Sequence, residues 1–139
     1  MLTQPVLLIL SLYALLTLAL VAVVFGFRSL QVILGRSAAN VWARSGPAPE
    51  PAFVQRAHDA HKNCVESFVL WLVALLLISQ NPASLENWAW LLPYLFGLRL
   101  AQSFTHLLGT TSLLVFVRGL FFAGQLIGLG LILLLGLLA

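Results

Sequence analysis

Charge is what this chain has least of: 8% of its 139 residues are Asp, Glu, Lys or Arg. So sparse a set leaves no basic run that could track a phosphate backbone, so the net charge of +3 does not point to nucleic acid. Cysteine occurs once, at Cys64, which excludes an internal disulfide framework and a zinc site built from several thiolates. Internal repeats are missing, and low complexity is confined to a leucine-rich tail. The remainder is apolar. Hydrophobic residues make up 61% of the chain and the mean hydropathy is +1.04, which places it in the membrane class. Its length fits one domain, residues 1–139. Residues 1–24 lack a basic n-region and a small-x-small cleavage site, so they read as a retained membrane helix and not as a cleaved signal.

Four apolar segments are expected to span the membrane: residues 5–34, 53–80, 85–108 and 113–138. Between the first two, Gly46-Pro-Ala-Pro-Glu-Pro51 cannot continue a helix. Asn81-Pro82-Ala83-Ser84 reads as a tight turn with Ser84 as N-cap, and Gly109-Thr-Thr-Ser112 as the next turn. Trp88 and Trp90 suit an interfacial aromatic belt, and Pro93 is expected to kink the third helix. Short connections make consecutive helices antiparallel neighbours, so the expected fold is all-α, an integral membrane four-helix up-down bundle. Arg28, Arg36, Arg44, Arg56 and Lys62 cluster around the first loop, whereas the second holds Glu86. The positive-inside rule then puts the first and third loops in the cytoplasm and both termini on the non-cytoplasmic side.

The few charges are concentrated. Residues 56–66 hold Arg56, His58, Asp59, His61, Lys62, Asn63 and Glu66, and run directly into an apolar span. Arg56, Asn63 and Glu66 share one helical face with Asp59 beside them, a face about 15 Å long with Glu66 deepest in the membrane. One reading of this stretch is a solvated helix start whose charges snorkel. A second follows from Arg99 in the third span and Arg118 near the start of the fourth. A lone arginine at membrane depth costs at least about 2.5 kcal/mol on insertion scales. Glu66 is the acidic residue at comparable depth, so it is expected to neutralise one of them. A Glu–Arg staple accounts for one arginine; the surplus positive charge suits an anionic ligand. Gln102 and His106 continue the face of Arg99 as interhelical hydrogen-bonding residues, and Gly124-x-x-x-Gly128 has the spacing of close helix packing. His58, His61 and His106 carry no zinc signature, so no metal is expected. Cys64 lacks an arranged base and reads as a packing residue.

Ala60-His-Lys-Asn-Cys-Val-Glu66 resembles the second-helix signature of the MAPEG family, the membrane-associated proteins in eicosanoid and glutathione metabolism. That signature is a basic residue, then Asn, then Glu three positions later, at the cytoplasmic start of a span. Asn81-Pro82, Arg99, Arg118, the length and the helix count also fit, so the resemblance covers essentially the whole chain. It implies a homotrimer in the bilayer with sites between subunits, and glutathione as cosubstrate held by Arg56, Lys62, Asn63, Glu66 and Arg99. It implies Arg118 as the catalytic residue that stabilises the thiolate, and conjugation or peroxide reduction of a lipophilic small molecule. The chain departs from the pattern where Asp59 replaces an arginine, Gln102 a histidine, and His106 and Phe122 tyrosines. The expected activity is therefore glutathione transferase or peroxidase. The alternatives are a non-catalytic binding or scaffold protein of the same fold, and a small-molecule exporter.

Overall fold

The structure is a computed structural model and describes residues 3–42, 50–80 and 86–138. Arg44, the Gly46–Pro49 part of the first loop, the 81–84 turn and the proposed Ser84 cap lie outside the described residues. Four long helices account for most of the rest: α1 Gln4–Ile33, α2 Ala52–Gln80, α3 Leu91–Leu108 and α4 Ser112–Leu138, with a short 3-10 turn at Ala39–Trp42. Among the described residues there is no strand.

The ends of α1 follow from its sequence. Pro5 sits in the first turn, where its missing N–H costs nothing. At the other end Gly35 takes φ +66°, its N–H donates to the Val32 carbonyl at 3.0 Å, and Arg36 N–H donates to Gln31 at 2.9 Å. Those two bonds satisfy carbonyls that a helix terminus otherwise leaves open, and only glycine adopts the required conformation cheaply.

α3 is shorter than expected. In place of one kinked helix from residue 85, a helical turn at 86–88 gives way to a turn at 89–90, and α3 starts at Leu91. Pro93 explains the break. It has no N–H for the Ala89 carbonyl, which instead accepts from Leu92 N–H at 3.2 Å in a tighter turn. The eighteen residues of α3 span about 27 Å, just under the ~30 Å hydrocarbon core. Trp88, Trp90 and Tyr94 form a ladder at this end, with centroids 6.3 and 5.9 Å apart.

α1, α2 and α4 are long and apolar enough to cross a membrane; α3, with Arg99, Gln102 and His106, is not among the helices that meet that measure. The chain is an all-helical integral membrane protein. α1 packs on α2 and α3, α2 also on α4, and α3 on α4. Val6, Ile9, Tyr13, Leu20 and Val24 form the buried stripe of α1, at helical spacing. α2 meets its neighbours through small residues (Ala57, Ala60, Cys64, Ser67, Ala74), with Trp71 fully enclosed among them. Leu15, Leu18, Phe25, Phe116 and Ile127 point outward, the pattern of helices solvated by lipid and not by water. A Cβ built on Gly128 would fall 2.3 Å from Leu95 Cδ2, and one on Gly124 would fall 3.0 Å from Leu98 Cδ1. The small-residue spacing therefore lets α3 and α4 of one chain approach each other.

Candidate functional site

Polar side chains gather in three places. The first is where α2 begins and α3 ends. Arg56 Nε donates to the Leu107 carbonyl at 2.9 Å, so a cation from α2 satisfies one of the open carbonyls of the α3 terminus, where the helix dipole also favours positive charge. More than one and a half turns into α4, the Arg118 Nη1 group lies 2.9 Å from His106 Nδ1. A guanidinium can only donate, so Nδ1 is the acceptor and the imidazole is neutral, with its proton on Nε2. Arg118 and His106 are half-buried, and Asp59 and Arg99 are within electrostatic reach of the imidazole.

The second place is the outer flank of α2. A shallow depression of about 270 Å³ is lined by His58, His61, Lys62, Val65 and Glu66. Lys62 and Glu66 are exposed, and among the described residues neither makes an ion pair. His61 Nδ1–H points to the Thr17 carbonyl of α1 at 3.3 Å. Asn63 is half-buried, and its carbonyl accepts from Ser67 Oγ at 2.7 Å. Val65 also borders an apolar groove of about 350 Å³ between α1 and α2, whose wall includes Tyr13, Thr17, Leu18 and Phe68. Polar depression and apolar groove thus meet at one residue.

The third place lies inside the protein and draws on all four helices. Arg99 is fully buried, donates from Nη1 to Gln102 Oε1 at 3.1 Å, and sits 5.5 Å from the centroid of the Tyr13 ring. Gln125 Nε2 of α4 donates to the same Gln102 oxygen at 2.9 Å and to the Phe121 carbonyl at 3.0 Å. Tyr13 Oη donates to the Cys64 carbonyl at 2.8 Å and lies 2.9 Å from Ser67 Oγ. Cys64 itself is wholly buried, with its sulfur 3.8 Å from Ser103 Oγ.

The expected pairing of Glu66 with a membrane arginine is therefore not what the chain does. Glu66 points outward on α2, whereas Arg99 faces the interior, where an amide oxygen and a ring face hold it. The ion pair among the described residues is Arg28–Glu50, joining the end of α1 to the approach to α2. Arg56 and Arg118 come together around the α3 terminus, Lys62 and Glu66 share the outer depression, and Arg99 belongs to neither group. Tyr13 and Gln125 were not singled out from the sequence. Their signal is present all the same, as isolated hydrogen-bonding side chains in otherwise apolar stretches of α1 and α4.

Nε and Nη2 of Arg99 have no hydrogen-bond partner, which leaves a buried cation only partly compensated. Arg99→Met keeps similar bulk and removes that charge, so its thermal midpoint in detergent is expected to equal or exceed that of the native protein. Glu66→Gln breaks no contact within the chain and is expected to change stability by less than about 0.5 kcal/mol. A midpoint several degrees lower for Arg99→Met would mean that the Gln102 and Tyr13 contacts outweigh the cost of burying the charge.

These features define a class: an integral membrane protein of packed helices with a cation-rich mouth at one end. The MAPEG family model matches residues 6–138, nearly the whole chain, and the protein belongs to the MAPEG family. Searches of curated proteins and of solved structures give no match.

Proposed function

We propose that the protein binds glutathione at its cation-rich mouth and transfers it to lipophilic electrophiles, or uses it to reduce lipophilic peroxides. In this reading α3 completes a four-span up-down bundle, both termini are non-cytoplasmic, and three copies assemble with sites between neighbours. The observation that carries the proposal is a set of cations without carboxylates. Arg118 rests on an imidazole, Arg56 on a carbonyl, and Lys62 on no acidic group among the described residues. Glutathione brings two carboxylates, one ammonium and a thiol, so its site needs several cations and an anion. Glu66 and Asp59 are exposed and supply the anion.

Arg118 and the Lys62/Glu66 depression belong to separate groups in one chain, and a site between copies would bring such groups to one ligand. The apolar groove that meets the depression at Val65 suits a lipophilic cosubstrate, with its polar end toward Lys62 and its tail along α1. Asn63 adds an amide able to donate to a carboxylate and accept from an amide.

Calorimetry on the intact protein in detergent or nanodiscs tests this reading. Saturable glutathione binding is expected, weaker in Asn63→Ala and in Glu66→Ala and weaker at high salt, because the mouth is partly exposed. Absence of binding up to millimolar glutathione would overturn the reading in favour of a non-catalytic binding or scaffold protein on the same fold.

A further inference from the structure

We propose that His106 takes the proton a bound thiol loses, and that this transfer releases Arg118 to face the thiolate. The inference rests on the glutathione-binding reading above and assigns a role to a residue that reading leaves idle. Its starting point is the contact between Arg118 Nη1 and His106 Nδ1, in which the Nδ1 lone pair points at the arginine to which the family resemblance gives the thiolate. A neutral imidazole with an accessible ring nitrogen is the side chain best suited to exchange a proton near neutral pH.

The surroundings decide when it can do so. Arg118 of α4 and Arg99 of α3 bring positive charge to the imidazole against the single carboxylate of Asp59 of α2, and Arg56 of α2 is held at the adjacent Leu107 carbonyl. His106 at rest is neutral, since its Nδ1 accepts from Arg118, and a half-buried site that already holds cations disfavours a further positive charge. An anionic ligand reverses that balance. As the thiol ionises, the S–H bond breaks and its electron pair stays on sulfur. The Nδ1–H bond forms, and the Arg118 N–H that donated to Nδ1 loses its acceptor and donates to the sulfur. Nothing is oxidised or reduced. The proton is held on the imidazolium, from which the anion that develops on an attacked electrophile can reclaim it. Proton uptake and repositioning of the arginine become one event.

The proton balance tests this directly. Thiolate formation on adding glutathione to the intact protein is followed by ultraviolet absorbance. Released protons are counted by calorimetry at neutral pH in two buffers of different protonation enthalpy. In the native protein the thiolate is expected to form with almost no proton released to buffer. His106→Gln keeps an oxygen acceptor for Arg118 but cannot hold the proton, so one proton per thiolate is expected and the thiolate yield falls. Release of a full proton by the native protein would overturn the inference and leave glutathione binding standing. Retention of the proton in both native protein and His106→Gln would likewise exclude His106 as the acceptor. Binding without any thiolate would overturn the inference and the catalytic part of the proposed function together. Should His106→Gln fail to fold, the native proton count by itself decides, since a full released proton is incompatible with uptake by any side chain.

Discussion

Arg118→Ala is expected to lower the amount of glutathione thiolate at neutral pH by about ten- to thousandfold while weakening glutathione binding far less. A positive charge within a few ångströms of an ionisable group shifts its equilibrium by about that factor. Arg118 is half-buried, so solvent screens it less than a surface arginine. The split between binding and ionisation follows from what the charge meets in each state. A neutral thiol gains little from a guanidinium, whereas a thiolate gains a full charge-assisted hydrogen bond. Ultraviolet titration with glutathione, paired with calorimetry on the same samples, separates the two effects. Equal losses of binding and of thiolate would mean that Arg118 holds a glutathione carboxylate instead.

Tyr13→Ala is expected to be the most destabilising single change, at about 3–5 kcal/mol. Tyr13 is 1% exposed and joins three helices. Its hydroxyl ties α1 to the Cys64 carbonyl and Ser67 of α2, and its ring packs on Trp71 at 5.2 Å and faces Arg99 of α3. Truncation opens a cavity, removes two hydrogen bonds and uncovers a buried cation. The last of these can be isolated. In an Arg99→Met background the same truncation should cost less, by roughly the 2 kcal/mol of a desolvated cation–π contact. Thermal or denaturant unfolding of the four proteins in one detergent gives the coupling. Strict additivity would show that the ring stabilises by packing alone.

Much of this architecture is legible in the sequence, because membrane helices state their limits in hydropathy and in Gly and Pro. The end of α1 at Gly35 and the turn before Ser112 follow directly from such signals. The start of α3 does not, since the influence of Pro93 falls on a carbonyl four residues earlier, outside the apolar pattern. The polar residues were legible as a group but not as partners. Helical periodicity places Arg56, Asn63 and Glu66 on one face of α2. It does not say which way a guanidinium on another helix turns. Arg99 turned inward because Gln102, one turn on, and the face of Tyr13 from α1 offered contacts that no scan of charges reveals. His106 was visible as a hydrogen-bonding residue on the face of Arg99 and as a replacement for a tyrosine, but its link to Arg118 joins two helices, which spacing within one helix does not reveal.

Glu50 has a further bearing on the mouth. Its carboxylate is bound to Arg28 of α1 and its carbonyl accepts from Gln55 Nε2 at 2.7 Å, so the chain is already fastened on both sides before α2 begins. The Arg28–Glu50 contact closes a loop of chain from α1 to the approach to α2, and the sequence between Trp42 and Glu50 lies within it. The entropy of closing such a loop grows only with the logarithm of its length, about 0.6 kcal/mol per doubling. Residues can therefore be added to or exchanged in that stretch at small cost in stability, and Arg56 keeps its position. For a protein whose cations gather at one end, the connection between α1 and α2 is a place where sequence can diverge, or a tag or targeting element be accommodated, with the mouth unchanged.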